Sequence, residues 1–142
     1  MSQNLIVLPV LAQVLLTLVV LVLMGPARSR SMRERRQRLE DMALAAEKDW
    51  NEAARKVANN FKNQFELPVL FYVVCLFALA TRTVDTALFV LACVFVLSRI
   101  AHTAIHIGPN VVAWRGTAYL VGFAALILMW VLLAWRIAAS GW

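Results

Sequence analysis

Between residues 5 and 24 the chain carries no charged side chain, and further apolar runs follow at 67–80, 86–107 and 118–135. A helix rising about 1.5 Å per residue needs around 20 apolar residues to cross roughly 30 Å of hydrocarbon. Lipid offers backbone groups no hydrogen-bond partners, so runs of this kind cross as helices. The pattern predicts an all-α, integral membrane four-helix bundle that forms a single membrane domain over the chain. Composition agrees: 62% of the 142 residues are hydrophobic and the mean hydropathy is +0.73, whereas soluble domains run about 45–50% apolar even with glycine counted.

The runs differ in how cleanly they end. Gly25-Pro26 follows the first, a pair that stops helices. Arginines follow this run instead of preceding it, the reverse of a secretory signal peptide, so it is expected to stay attached as an anchor. The second run is about six residues too short for a crossing. Its helix must borrow from upstream to about residue 61, which draws Asn63 and Glu66 into the membrane or its interface. Pro68 cannot donate to the carbonyl of Gln64, so a bend or loosening is expected there. The third run carries Arg99, His102 and His106 in its final third, and Gly108-Pro109-Asn110 turns the chain into the fourth. The expected spans are 5–24, 61–80, 86–107 and 116–138, with a charged loop over 25–60.

The formal charge is +6, but its distribution argues against a nucleic-acid partner. Ten of the fourteen Lys and Arg lie between Gly25 and Glu66, interleaved with seven of the eight acids. No aromatic-interleaved basic platform is present. A mixed-charge loop beside membrane spans sets topology and meets anionic headgroups. The positive-inside rule assigns the 25–60 loop to the cytoplasm and, with four spans, both termini to the outside. Ser31 followed by Glu34 fits a capping box, and the stretch from there to about Asn60 has no Gly or Pro, so it can be helical. Cys75 and Cys93 fall inside apolar runs and read as buried, reduced thiols. The five tryptophans (Trp50, Trp114, Trp130, Trp135 and Trp142) read mostly as an aromatic belt at the headgroups.

On a helix turning about 100° per residue, Asn59, Asn63 and Glu66 fall at roughly 0°, 40° and −20°, one polar face. Arg99, His102 and His106 fall at roughly 0°, −60° and −20°, a second. Ionisable residues inside a membrane face the bundle interior and mark candidate sites. Glu66 is therefore expected to face protein. Structurally, it could pair with Arg99 or Arg115 to bind helices together, with Asn63 adding a hydrogen bond. His102 and His106 have the spacing of two metal ligands, but zinc needs a third protein ligand and only Glu66, on another helix, is at hand. Histidines hydrogen-bonded to backbone or headgroups account for the pair without a metal.

The run from Arg55 to Pro68 resembles the second-helix signature of the MAPEG family, the membrane-associated proteins in eicosanoid and glutathione metabolism. That signature reads approximately Glu-Arg-x-x-Arg-Ala-x-x-Asn-x-x-Glu with a proline just beyond. Asn63 and Glu66 match its Asn and Glu, and Lys56 takes the place of its first Arg. Asn59 stands where the second Arg is expected, and Arg55 where the leading Glu is expected. Arg99, His102 and His106 resemble the family's Arg-x-x-Tyr-x-x-x-Tyr pattern with histidine for both tyrosines. Arg115 resembles an arginine near the start of the fourth helix, displaced by about two residues.

The resemblance is to bacterial-type members and to microsomal glutathione transferases. It implies a homotrimer in the bacterial inner membrane, glutathione as co-substrate at the cytoplasmic face, and a lipophilic small molecule entering from the lipid bilayer. It also implies transferase-like or peroxidase-like chemistry in which Arg99 and Arg115 are catalytic, while Lys56, Asn59, Asn63, Glu66, His102 and His106 bind substrate. The same fold could instead serve as a non-enzymatic membrane interaction or assembly subunit, a reading that the missing signature arginine at Asn59 favours.

Overall fold

The structure, a computed structural model, describes residues 2–35 and 50–139. A 3-10 turn, Gln3–Ile6, leads into α1, Val7–Arg35. The second span is built from α2, Glu52–Asn63, and α3, Leu67–Ala80; α4, Thr86–Ile107, and α5, Val112–Ala139, complete the bundle. Four helical units, Gln3–Glu34, Glu52–Ala80, Thr86–Ile107 and Val112–Ala139, are long and apolar enough to cross a membrane. Their outer surfaces carry exposed Leu15, Val22, Leu76, Leu97, Leu120 and Trp135. Water would penalise such a surface, whereas lipid tails accept it.

Gly25-Pro26 does not end the first helix; α1 runs through it to Arg35. A proline removes one backbone hydrogen bond, which membrane helices absorb by local adjustment. Here continuation also extends a packed strip: Val20, Met24 and Ala27 of α1 lie against Trp50, Ala54, Val57 and Ala58. Ser31 is likewise inside α1 and does not start a helix. Its buried hydroxyl accepts the Asn51 backbone N–H at 2.8 Å, and Glu34 accepts from Asn51 Nδ2 at 2.7 Å. The helix that does start nearby is capped by Asn51, whose Oδ1 accepts from the Ala54 N–H at 2.9 Å. The rest of the charged stretch, 36–49, lies outside the described residues, as does Trp142.

The second span breaks between Asn63 and Leu67. Pro68 sits in the first turn of α3, where a missing N–H leaves no helical bond unmade. The Gln64 N–H turns to the Phe61 carbonyl (3.1 Å) and the Phe65 N–H to the Lys62 carbonyl (2.9 Å). Side chains also reach carbonyls at this tightened turn. Gln64 Nε2 donates to the Asn60 carbonyl at 3.4 Å, and Arg99 Nη2 donates to the Asn63 carbonyl at 2.9 Å. Broken helix within a membrane persists where protein groups re-satisfy it in this way.

The core lies between α3, α4 and α5. Phe71 stacks on Phe95 with ring centroids 4.4 Å apart, and Leu88, Leu126 and Met129 are buried around them. α4 and α5 pack tightly at Gly122, where a Cβ would strike the Ser98 hydroxyl. Cys75 and Cys93 are free thiols, the first buried and the second partly buried. Trp114 and Trp135 are exposed, whereas Trp50 is buried beneath the Arg28 guanidinium, 4.6 Å from its ring centroid.

At the end of the bundle where α3 turns into α4, Gln3 exchanges two 3.0 Å hydrogen bonds with the Val84 backbone. Arg136 donates to the Thr83 carbonyl at 2.8 Å and pairs with Asp85. Asp85 also caps α4 by accepting from the Leu88 N–H at 2.9 Å.

Candidate functional site

At the other end, the last turns of α2 and α4 meet the first turns of α5. A cavity of about 520 Å³ opens there, lined by Asn59 and Asn63 from α2, His102 and His106 from α4, and Arg115, Gly116, Tyr119 and Leu120 from α5. Its size falls within the roughly 300–1,000 Å³ of small-molecule sites. One wall is cationic and amide-rich; Leu120, 62% exposed, carries the other toward the lipid-facing surface.

Arg115 and the two histidines have partners behind them. Arg115 Nη1 donates to Asn110 Oδ1 at 2.8 Å. Asn110 takes a left-handed conformation (φ 53°), which asparagine tolerates better than most residues. The Arg115 carbonyl lies 3.1 Å from His102 Nδ1, and Asn63 Nδ2 lies 3.4 Å from His102 Nε2. His106 Nδ1 is 3.4 Å from Asn60 Nδ2. The two imidazoles meet edge to face at 5.5 Å.

Asn59, Asn63, His102, His106 and Arg115 therefore share one cavity, while Lys56, Glu66 and Arg99 do not line it. Lys56 Nζ is drawn to Glu52 at 2.7 Å and to the Gly108 carbonyl at 3.4 Å. Glu66 lies beyond the break that ends α2 at Asn63, so the 100° progression that aligned it with Asn59 and Asn63 no longer applies. Its side chain is exposed on the surface of the single chain. The alternative in which Glu66 pairs with Arg99 or Arg115 finds no hydrogen bond between them, and Arg115 donates instead to Asn110. Arg99, 0% exposed, lies about one turn deeper on α4, 5.8 Å from the Tyr119 ring centroid. Its Nε and Nη1 are buried without hydrogen-bond partners among the described residues.

Sequence reasoning missed Tyr119 and a buried amide network behind the histidines. Gln13, Asn60, Gln64 and Thr103 are all buried, and Gln13 Nε2 donates to Gln64 Oε1 at 2.9 Å across the bundle. A lone glutamine in the apolar 5–24 run was the available signal, because polar side chains in lipid seek partners on other helices. Among the described residues no three His, Cys, Asp or Glu side chains converge as a metal would require.

A sequence profile of the MAPEG family matches residues 6–135. The chain belongs to the MAPEG family. No curated protein and no solved structure matches it. The MAPEG match extends from the start of the first span into the fourth and so includes every residue of the cavity. In this MAPEG protein the cavity sets a cation, two amides and two imidazoles against an apolar wall. That combination can hold a polar, anionic ligand while an apolar one approaches from the bilayer.

Proposed function

We propose that this protein is a glutathione-transferase-like or peroxidase-like membrane enzyme, acting on lipophilic electrophiles at the cytoplasmic face of a bacterial inner membrane. The observation that carries the reading is the cavity in which Arg115, His102, His106 and Asn63 face an opening bordered by Tyr119 and Leu120. Glutathione brings two carboxylates and a thiol. Arg115 binds a carboxylate or stabilises the thiolate, since a nearby cation favours the charged form and the thiolate is the nucleophile. Asn59 and Asn63 hydrogen-bond the peptide. Water is displaced on the lipid side, where the electrophile enters.

The buried donors of Arg99 favour a second component. Buried polar groups are almost always paired, and a guanidinium with Nε and Nη1 unpartnered among the described residues points to an acceptor from a ligand or from another copy of the chain. Exposed Glu66 is a candidate for the latter in a homotrimer. The same two residues support the rival reading, a non-enzymatic assembly subunit.

The deciding experiment measures thermal stability and turnover together in detergent. A ligand bound only by the folded protein at a hundred times its dissociation constant adds about 2.7 kcal/mol. The proposal expects glutathione to raise the melting temperature and to be consumed with an electrophile or a lipid hydroperoxide. No shift at several millimolar, with no turnover across a panel of electrophiles and thiols, replaces it with the assembly reading.

A further inference from the structure

The two cavity histidines have opposite hydrogen-bond environments, and both trace back to backbone carbonyls. A carbonyl only accepts, so the 3.1 Å contact between His102 Nδ1 and the Arg115 carbonyl requires a proton on Nδ1. The lone pair of His102 then lies on Nε2, met among the described residues only by the long 3.4 Å approach of Asn63 Nδ2.

For His106 the assignment passes through the amide network. Gln64 Nε2 lies 3.4 Å from the Asn60 backbone carbonyl, which fixes which end of that amide is the donor. The same nitrogen then donates to Asn60 Oδ1 at 3.1 Å, and Thr103 Oγ1 donates to that oxygen at 3.3 Å. With Oδ1 so engaged, Asn60 must turn Nδ2 to His106 Nδ1. That nitrogen accepts, and the His106 proton resides on Nε2. Gln13, whose Nε2 donates to Gln64 Oε1, closes the network from α1.

We propose that the cavity holds its histidines as opposite neutral tautomers, and that His102 Nε2 is the base that takes the thiol proton while His106 Nε2–H supports the negative charge that develops on the electrophile. Asn60 and Gln64 are positioning residues for His106. The base assignment rests on the thiol reading above; the tautomers do not. For addition to an α,β-unsaturated carbonyl the step balances without an oxidant or reductant. The S–H bond breaks, its proton moves to His102 Nε2, and the electron pair stays on sulfur beside Arg115. The S–C bond forms as the carbon–carbon π bond opens, moving an electron pair to the carbonyl oxygen, to which His106 Nε2–H donates. The imidazolium at His102 then returns the proton to the enolate carbon.

The chain has only two histidines, so a ¹⁵N spectrum of histidine-labelled protein in bilayers at neutral pH reads both rings without variants. The expected result is one ring protonated at Nδ1 and the other at Nε2. Two rings of the same tautomer, or two imidazoliums, overturn the proposal. Asn60→Leu should leave the first ring unchanged and release the second into a tautomer mixture. A spectrum unchanged in that folded variant removes Asn60 as a positioning residue. With glutathione and an enone, His102→Gln should lower kcat by about 10²-fold or more, the range of general acid–base catalysis, while glutathione KM stays close to wild type. Wild-type kcat in that variant overturns the base even where the thiol reading holds. Absence of wild-type turnover defeats the thiol reading and the base together, and the spectra still decide the tautomers.

Discussion

Arg115 and Arg99 sit near the same end of the bundle, yet in different surroundings. Arg115 lines the cavity and is tethered by Asn110, whereas Arg99 is buried against the broken backbone of the second span. Arg115→Ala should lower kcat for thiol conjugation by about 10²–10³-fold if the guanidinium stabilises developing charge. A rise in glutathione KM alone would mark a ground-state clamp. Arg115→Lys keeps the charge but not the planar fork, so recovery of turnover by lysine identifies a point-charge role. Unchanged steady-state constants in Arg115→Ala would exclude Arg115 from the chemistry. At this scale the sequence revealed which residues were polar inside apolar runs. It did not reveal their partners: Asn60 and Gln64 were passed over beside Asn63, because helical angles on one segment carry no information about Thr103 or Gln13 on other helices.

Among the elements, the second span was the most legible, because Pro68 forbids one helical bond and the break forms there. The first was less so. Gly25-Pro26 read as a stop from local propensity, but packing of Met24 and Ala27 on α2 outweighs one lost hydrogen bond, a tertiary effect that the local pattern cannot contain. The junction of α4 and α5 was not legible either, since nothing marks Gly122 as a point of tight contact. It supports a direct test. Gly122→Ala places a methyl against the Ser98 hydroxyl, which is itself held by the Phe95 carbonyl at 2.6 Å. Overpacking of this kind costs about 1–3 kcal/mol, measurable by unfolding in detergent. In a Ser98→Ala background the same substitution should cost clearly less. Equal cost in both backgrounds would mean that the helices separate there freely.

Across the whole molecule the bundle carries its candidate site at one end and a latch at the other. Burial pushes the Asp85 carboxyl up, but the Leu88 N–H and Arg136 outweigh it and hold the group below its ordinary value of 3.8. A depressed folded-state value contributes stability that is complete above the unfolded value and is lost as pH falls through the folded one. Wild type should therefore lose melting temperature below about pH 4 more steeply than Asp85→Asn; parallel profiles would exclude the latch from stability. Orientation is tested at exposed Ser2 and Ser29. An impermeant thiol reagent applied to intact cells should label Ser2→Cys and spare Ser29→Cys, and the opposite pattern would invert the topology. Four spans were readable from the apolar runs; the cavity was not, because it exists only where three helices meet. The most direct measurement of the central claim is equilibrium binding of glutathione to the purified protein and to Arg115→Ala, both checked for wild-type melting temperature without ligand. The account predicts saturable binding by wild type, competed by S-alkyl glutathione and weakened about tenfold or more by removal of the guanidinium, a loss of roughly 1.4 kcal/mol. No saturable binding by wild type, or equal affinity in the variant, would contradict it.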